Sequence, residues 1–182
     1  MIIGLCGKSA SGKGTLARNI VEVKENAIHV DIDKIGHAAL EIEEVMIEAV
    51  KAFGEKIIID GKINRKVLAE LVFNSRDEME KLTNITWKHM VEMIDKIIEE
   101  NKDKIIILDW LLLDKTKYFK RCDLTILINV PYEERLIRAI KRDGITEEDF
   151  LLRDSNSGTY DYEMFDYVLS DEEEIRKMVK II

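Results

Sequence analysis

The segment with the clearest capacity for chemistry is a glycine-rich run that follows an apolar stretch near residue 1 and precedes a helical pattern. Glycines let consecutive backbone N–H groups turn inward around phosphate oxygens, and a helix amino terminus adds positive potential. A lysine at this spacing reaches the β- and γ-phosphates of a nucleotide, whereas the alternative is a glycine-rich turn without a ligand. The strand before it and the helix after it favour the phosphate site. The segment consists of Gly7, Lys8, Ser9, Ala10, Ser11, Gly12, Lys13, Gly14 and Thr15.

The residue after Lys13 differs from the usual pattern of such loops. That position normally holds Ser or Thr, whose hydroxyl ligates Mg²⁺. Here it is Gly14, and the hydroxyl comes one residue later, on Thr15. The Gly-Lys-Gly-Thr ending resembles the phosphate loop of adenylate kinases. Two interpretations stay open: Thr15 contacts the nucleotide and its metal, or Mg²⁺ is held mostly through water and acidic groups.

Two carboxylates, Asp31 and Asp33, follow the second apolar run. At the carboxyl end of a strand beside the phosphate loop, they would face a phosphoryl acceptor. One could accept the proton of an acceptor hydroxyl, and the other could order Mg²⁺ through water. The alternative for either residue is a helix N-cap, because Asp begins helices well and the segment from Lys34 looks helical. The two interpretations are compatible, and the identity of the base stays open.

Arginines recur in the last third of the chain. Arg138 and Arg142 stand four residues apart and share a face of one predicted helix, and Arg153 follows on the next. A lid that carries these guanidinium groups would neutralise the charge on a transferring phosphoryl group. The alternative is a solvated helix face on which Glu134 pairs with Arg138. We expect Arg135 to belong to such a solvated face.

Short apolar runs alternate with longer amphipathic stretches along the chain. The runs are continuous, which is typical of strands covered on both faces and therefore of a parallel sheet with helical crossovers. They are Ile2–Cys6, Ile28–Asp31, Lys104–Asp109, Leu124–Asn129 and Tyr167–Leu169. Helical patterns follow at Leu16–Lys24, Tyr132–Arg142 and Asp171–Val179. We expect an α/β fold with a doubly wound, five-stranded parallel sheet.

The alternation stops between about Gly36 and Asn101, where consecutive helices are predicted. One short ribbon or loop at Lys56–Ile59 interrupts them. A helical insertion after the second strand would lie over the carboxyl edge of the sheet, where open α/β sheets bind ligands. The predicted helices are Ala38–Phe53, Arg65–Phe73, Asp77–Leu82 and Trp87–Glu100.

The composition of the 182 residues excludes several classes of protein. Lys and Arg number 28 against 36 Asp and Glu, a net charge of −8 that argues against a nucleic-acid or anionic-membrane surface. Cys6 and Cys122 cannot form a four-cysteine zinc site, and their apolar surroundings are typical of buried free thiols. The amino terminus lacks the basic region of a signal peptide, and no run is long enough to span a bilayer. We therefore expect a soluble, cytoplasmic protein.

Segments along nearly the whole chain resemble, in the same order, the dephospho-coenzyme A kinases. The paired aspartates lie in Val30–His37, the arginine-bearing lid in Glu133–Gly144, and the last strand in Phe165–Leu169. The longest match is to the helical acceptor region of the family, at Phe53-Gly54, Asp60–Ala69 and Val72-Phe73. The chain departs from the family pattern at Gly14, Trp87-Lys88 (usually His-Pro), Leu111 (usually Pro), Ser157 (near a usual Gln) and Ser170 (nearest a usual Asn).

The resemblance implies a three-layer P-loop kinase fold and transfer of the γ-phosphoryl group of ATP, with Mg²⁺, to the ribose 3′-hydroxyl of dephospho-coenzyme A. We expect Asp33 to be the base, Lys13 and Arg138 to act on the transferring phosphoryl group, and Asp31 to help at the metal. One kinase domain would span residues 1–182, with core segments 1–35, 102–131 and 161–182, an acceptor-binding insert at about 36–101 and a lid at about 132–160.

Further site residues follow from the same resemblance. The nucleotide would bind to the loop Gly7–Thr15 and to Arg138 and Arg142, and the metal to Thr15 and Asp31. Arg65 would bind the phosphates of the acceptor, because its segment matches. The expected acceptor-binding residues are Asp31, Asp33, His37, Arg65, Leu112 and Arg153.

Two other functions remain open at the level of the sequence. A kinase for another small acceptor, such as a nucleoside monophosphate, is favoured by the Gly-Lys-Gly-Thr ending. A nucleotide-binding regulator that has lost phosphoryl transfer is suggested by the altered family positions. The sequence does not predict an oligomeric state.

Overall fold

The continuous apolar runs of the sequence form the strands of a parallel sheet in the computed structural model, which describes residues 1–72, 75–155 and 157–182. The strands of this part of the chain are β1 (Ile2–Gly7), β2 (Ala27–Asp31), β3 (Ile58–Ile59), β4 (Lys62–Ile63), β5 (Ile105–Asp109), β6 (Leu124–Ile128) and β7 (Tyr167–Leu169). The helices are α1 (Lys13–Val23), α2 (Ile32–Ala39), α3 (Glu43–Phe53), α4 (Arg65–Val72), α5 (Arg76–Glu100), α6 (Tyr132–Asp143), α7 (Glu147–Ser155) and α8 (Glu172–Ile181). Single 3-10 turns lie at Glu55–Ile57, Leu113–Lys115, Phe119–Arg121 and Tyr162–Met164.

The sheet has the order β2-β5-β1-β6-β7, and every neighbouring pair is parallel. The predicted α/β fold with five parallel strands is therefore confirmed, and the strand bounds differ from the predicted ones by at most one residue. Because the strands are parallel, their carboxyl ends meet at one edge of the sheet, and each connection that leaves this edge can contribute to a ligand site.

Both faces of the sheet are buried, which explains why the strands are apolar at consecutive positions. Ile3 and Leu5 of β1 pack on one face with residues of α1 and α8, while Cys6 of β1 and Leu108 of β5 are fully buried on alternate positions. The helical contributors to this core are Leu16, Ala17, Ile20, Ile175 and Met178. These apolar contacts hold α1 against the sheet, and the last residues of the phosphate segment form the first turn of this helix.

The chain divides into two compact units. One consists of Met1–Asp31 and Asn101–Ile182 and contains the five-stranded sheet. The other, Ile32–Glu100, contains α2 to α5 and the ribbon β3-β4. The second unit has its own apolar core, formed by Leu40, Val45, Ala49, Phe53, Ile57, Leu68 and Val72.

The prediction of one helix over Ala38–Phe53 is wrong, because the chain forms α2 and α3 with a break at Leu40–Ile42. The first helix buries Ile32, Ile35 and Ala39, and the second buries Val45, Ala49 and Phe53. At 100° a residue, the step from Ala39 to Val45 turns well away from the first apolar face. One straight helix could not bury both sets on one face, and the break lets each helix bury its own set.

The prediction of two helices at Asp77–Leu82 and Trp87–Glu100 is also wrong, because α5 is continuous from Arg76 to Glu100. Threonines lie between the two predicted helices, and their β-branched side chains and hydroxyls can interrupt a helix. Instead, the Thr83 and Thr86 hydroxyls donate hydrogen bonds of 2.8 and 2.9 Å to the carbonyls of Met79 and Leu82. These bonds within the helix satisfy the hydroxyls, so α5 continues through the threonine positions.

The segment Lys56–Ile59, predicted as a short ribbon or loop, contributes to both a 3-10 turn and the antiparallel ribbon β3-β4. Asp60 and Gly61 form the connection with φ values of 52° and 74°, the left-handed geometry that a two-residue hairpin needs. The predicted helix Arg65–Phe73 begins at Arg65, as expected, and is described to Val72; Phe73 itself lies outside the described residues.

Both cysteines are free thiols, as predicted. Burial raises the pKa of Cys6 and that of Cys122 to about 12, so both side chains stay protonated. They therefore act as packing groups and not as nucleophiles. Among the described residues, no helix has the length and apolar character needed to cross a membrane.

Candidate active site

The phosphate segment leaves β1 at Gly7 and enters α1 at Lys13. Gly7 has a φ of +147°, and a Cβ atom there would come within 2.6 Å of the Ile128 carbonyl oxygen and 2.7 Å of the Ser11 Oγ. Only glycine fits this position. The Ser11 hydroxyl is fully buried and has no hydrogen-bond partner among the described residues. An unsatisfied donor inside a tight loop fits a site that receives phosphate oxygens.

The Lys13 ammonium lies over this loop. Its Nζ donates hydrogen bonds of 2.8 Å to the Gly7 carbonyl and 3.4 Å to the Lys8 carbonyl. The first turn of α1 carries no acidic residue, so the positive end of the helix dipole is not opposed by a side chain. The loop, the helix end and Lys13 together form a concentrated positive site for a polyphosphate.

Two carboxylates lie at the carboxyl ends of neighbouring strands. Asp31 ends β2 and is in register with Asp109, which ends β5. Asp109 is 7% exposed, and the His29 Nε2 lies 3.1 Å from its Oδ2. Asp109 is not among the predicted site residues, although an acid that ends an otherwise apolar strand at the predicted ligand edge is a signal for it.

The start of α1 carries Gly14 and Thr15, where the sequence departs from the usual loop. The Thr15 Oγ1 accepts a hydrogen bond of 3.2 Å from the Arg18 Nη2, and both side chains are exposed. A Cβ atom at Gly14 would lie 3.6 Å from the Asp109 Oδ2. Asp109 therefore reaches the corner of the loop that faces the metal in the usual pattern.

Two carboxylates at this edge of the sheet could hold a magnesium ion. Among the described residues, no group of three or more His, Cys, Asp or Glu side chains is arranged to hold a metal. Mg²⁺ is usually bound through one or two carboxylates together with phosphates and water. Asp31 and Asp109, at one edge of the sheet, fit this requirement.

The expectation that Arg135 lies on a solvated helix face is wrong. Arg135 is 5% exposed, and its guanidinium donates hydrogen bonds to the Val130 carbonyl at 3.1 Å, the Ser9 carbonyl at 3.4 Å and the Asp154 carboxylate at 2.6 Å. It also lies over two aromatic rings, Tyr132 and Phe150. Arg135 therefore connects α6, α7 and the phosphate loop.

Asp154 is the acidic partner of this connection. Its Oδ2 lies 3.4 Å from the Nζ of Lys8, a loop residue, while its Oδ1 accepts from Arg135. Burial raises the pKa of Asp154, but the hydrogen bond from Arg135 and the two positive charges outweigh burial and leave this pKa below its usual value. The carboxylate stays charged at neutral pH and fixes the position of Lys8.

The predicted lid arginines make two different sets of contacts. The Arg138 Nη1 donates to the Ser11 carbonyl at 3.2 Å, so this residue contacts the phosphate loop. Its Nη2 also pairs with Glu134 at 3.1 Å and Glu172 at 3.2 Å, so the pairing considered as an alternative forms as well. Arg142 and Arg153 instead converge on Asp143, at 2.7 and 3.6 Å. The Arg142 hydrogen bond lowers the pKa of Asp143.

Three predicted site residues lie in the unit Ile32–Glu100. Asp33 is in the first turn of α2, and His37 stands one helical turn later on the same exposed face. Arg65 is the first residue of α4 and is exposed, and the Asn64 Oδ1 accepts hydrogen bonds from the N–H groups of Lys66 and Val67. Asn64 thereby fixes where α4 begins and where Arg65 projects.

Two positions near the site follow from local hydrogen bonds. Leu112 is 39% exposed after β5, and the preceding carbonyl, of Leu111, accepts a hydrogen bond of 2.7 Å from the Tyr160 hydroxyl. Burial raises the pKa of Tyr160, which keeps this donor protonated. Ser157 is buried and donates to the Arg153 carbonyl, in the last turn of α7, at 3.0 Å.

A cavity of about 460 Å³ lies beside the phosphate loop. Tyrosine rings contribute to its wall, and Lys8 and Arg135 contribute polar groups. Aromatic faces next to polar donors are typical of sites that bind a heteroaromatic base. The lining residues are Lys8, Asn129, Val130, Pro131, Tyr132, Arg135, Thr159, Tyr160 and Tyr162.

Comparison with known proteins identifies a family that matches this chain. The family model for dephospho-CoA kinase matches residues 1–172. The dephospho-CoA kinase of Fusobacterium nucleatum is 38% identical over 149 residues, which cover 81% of this chain and 76% of that protein. That of Aquifex aeolicus is also 38% identical, over 151 residues, with the same coverage of 81% and 76%.

A solved structure has the same fold. A crystal structure from Thermus thermophilus superimposes with a TM-score of 0.83 at 24% identity, covering 100% of this chain and 95% of that one. The family match extends over most of the chain, so the resemblance inferred from the motifs is confirmed and a nucleoside monophosphate kinase is not favoured. The chain belongs to the dephospho-CoA kinase family.

Proposed function

We propose that this chain transfers the γ-phosphoryl group of ATP to the ribose 3′-hydroxyl of dephospho-coenzyme A, giving coenzyme A and ADP. The observation that carries the proposal is the phosphate loop with the Lys13 ammonium over its carbonyls, in a chain of this kinase family. The tyrosine-walled cavity next to the loop supports a substrate that carries a heteroaromatic base.

In this reaction the acceptor oxygen forms a bond to the γ-phosphorus while the bond from that phosphorus to the β,γ-bridging oxygen breaks. The loop N–H groups and Lys13 bind the phosphate oxygens and stabilise their negative charge. Arg138 contacts the loop at Ser11 and contributes a further cation to the transferring group. Asp33 takes the proton of the acceptor hydroxyl as it attacks.

Magnesium, when bound, neutralises phosphate charge and orients the β- and γ-phosphates. Asp31 and Asp109 would hold it, directly or through water, because they end neighbouring strands in register. Thr15 is a second candidate ligand, although its hydroxyl already accepts a hydrogen bond from Arg18.

We propose that the unit Ile32–Glu100 is an insert within one kinase domain that binds the acceptor, and that residues near the sheet edge contribute to this binding. Asp33 and His37 share an exposed face of α2, and Arg65 projects from the start of α4, where it would bind acceptor phosphates. Leu112 is exposed after β5 and would contact the acceptor. The segment 132–160 would act as a lid, in which Arg142 binds the nucleotide and Arg153 the acceptor.

The cytoplasm is the proposed location of this activity. Two free thiols with raised pKa values suit a reducing compartment, and ATP is a cytoplasmic substrate.

The test is the release of ADP from Mg·ATP with dephospho-coenzyme A, with AMP or without an acceptor, at 25 °C and at a higher temperature. We expect release that depends on dephospho-coenzyme A. Release that depends on AMP would instead indicate a nucleoside monophosphate kinase, and tight ATP binding without ADP release would indicate a regulator that has lost transfer.

A further inference from the structure

The corner of the phosphate loop at Gly14 differs from the usual arrangement in a way that involves a second residue. The usual loop presents a Ser or Thr hydroxyl at this position to the metal. A Cβ atom built at Gly14 would lie 3.4 Å from the Arg18 Nη1 and 3.6 Å from the Asp109 Oδ2. The space into which the usual hydroxyl would project is therefore bounded by a guanidinium group and a carboxylate.

The position of Arg18 follows from helix geometry. Arg18 stands four residues after Gly14 on α1, and helical side chains lean towards the amino terminus, so its guanidinium reaches back to the start of the helix. Its Nη2 donates to the Thr15 Oγ1 at 3.2 Å, which anchors one side of the group. A guanidinium has five N–H donors, so this bond leaves others for an anion.

The carboxylate on the other side is fixed independently. The His29 Nε2 lies 3.1 Å from the Asp109 Oδ2, and both side chains are largely buried. The corner thus offers a cation for phosphate oxygens next to an acid that suits a hydrated metal ion. Neither the binding of phosphate oxygens nor that of a hydrated metal ion then requires a hydroxyl at position 14.

We propose that Gly14 and Arg18 act as one unit, in which the absence of a side chain at Gly14 admits the Arg18 guanidinium as a further phosphate-binding group for the nucleotide. This inference rests on the proposed function, because it requires a nucleotide on the loop. Its consequence is that part of the affinity for nucleotide does not depend on Mg²⁺, since Arg18 supplies positive charge where the usual loop relies on the metal.

The experiment measures the Kd of ADP by calorimetry, once in excess EDTA and once in Mg²⁺. In EDTA we expect R18A to raise the Kd about tenfold, because one charge-assisted contact is lost. R18Q keeps a donor for Thr15 but not the charge, and should lose nearly as much. R121A is the matched control: it removes an exposed arginine just before β6, at the opposite edge of the sheet, and should change the Kd less than twofold.

A second variant tests the pairing with Gly14. In the R18A background, G14S returns a hydroxyl to the usual position, so the ratio of the Kd in EDTA to the Kd in Mg²⁺ should increase about fivefold or more over R18A alone. G14S would displace only the mobile end of the Arg18 side chain, and a thermal melt of each variant checks that the fold is kept.

The outcomes separate this inference from the proposed function. If K13A abolishes ADP binding while R18A and R18Q bind ADP in EDTA as tightly as R121A, the role of Arg18 is wrong and the nucleotide site stands. An unchanged ratio of the two Kd values on adding G14S to R18A would also overturn the pairing. If the wild type binds no ADP, or if K13A binds it normally, the nucleotide site itself is rejected.

Discussion

Lys13 and the glycines around it illustrate how single residues determine this site. Gly7 allows a turn in which a Cβ atom would collide with the Ile128 carbonyl, and the turn brings two loop carbonyls under the Lys13 ammonium. The Lys13 side chain is therefore held over the loop by hydrogen bonds to backbone carbonyls of the loop. Its removal therefore takes away charge without removing an apolar contact of the core.

We expect Lys13→Ala to lower kcat/KM at least about 100-fold, because a principal cation for the phosphates is lost. The melting temperature should stay close to that of the wild type. ADP release and circular dichroism measure the two effects, and Lys120→Ala, an exposed lysine outside the site, is the control. Wild-type turnover in Lys13→Ala would reject the loop as the phosphate site.

The two aspartates after β2 are distinguished by kinetics. Asp33→Asn should lower kcat about 100-fold, because the amide cannot take the proton of the acceptor, with little change in the KM for ATP. Asp31→Asn should instead raise the Mg²⁺ concentration needed for half-maximal activity. The measurement is a rate series in Mg²⁺ for both variants. The opposite pattern would exchange the two roles.

At the scale of secondary-structure elements, the ion pair between Arg135 and Asp154 connects α6, α7 and the phosphate loop. The Arg135 guanidinium donates hydrogen bonds to the Val130 carbonyl just after β6, to a carbonyl of the phosphate loop and to the Asp154 carboxylate. Removing Arg135 would leave the largely buried Asp154 carboxylate with only the more distant Lys8 ammonium, and the loss of one partner of a buried pair costs more than the pair contributes.

Arg135→Met should therefore lower the free energy of unfolding by about 3 kcal/mol, as measured by urea denaturation. Arg176→Met is the control, because it removes an arginine that pairs with Glu172 on the exposed face of α8 and should cost less than about 1 kcal/mol. Equal losses in the two variants would contradict the structural role of Arg135.

The same ion pair predicts a pH dependence. The pKa of Asp154 is lower in the folded protein than in the unfolded chain, so its charge stabilises the fold above its unfolded pKa. This contribution is lost as the pH falls through the folded pKa. The stability difference between wild type and Asp154→Asn, from urea midpoints, should therefore be largest near neutral pH and shrink below about pH 4. A difference that stays constant over this range would contradict the assignment.

At the scale of the whole molecule, the sequence predicted what depends on local pattern. The five strands of the parallel sheet were predicted within one residue, because strands buried on both faces are apolar throughout. The phosphate loop was predicted because a glycine-rich run with a lysine, placed between a strand and a helix, is typical of phosphate binding. The prediction of one helix over Ala38–Phe53 failed, since only the folded chain shows that the buried faces of α2 and α3 are out of phase and require a break.

The candidate site was predicted less completely, for a physical reason. On a helical wheel Arg135 lies beside charged neighbours, and only the fold brings Asp154, nineteen residues later, against its guanidinium. Asp109 was predicted only as the last residue of an apolar run, because its register with Asp31 depends on a sheet order that does not follow the order of the strands along the chain. Contacts between distant segments leave no local pattern in the sequence.

The most direct test of the central claim is the identity of the product. The enzyme is incubated with Mg·ATP and dephospho-coenzyme A, and the product is analysed by mass spectrometry and phosphorus NMR, with the 3′-deoxy acceptor as the matched control. The account predicts one added phosphoryl group on the ribose 3′-oxygen, ADP in equal amount, and no product from the 3′-deoxy acceptor. Unmodified dephospho-coenzyme A, or a phosphoryl group at another position, would contradict it.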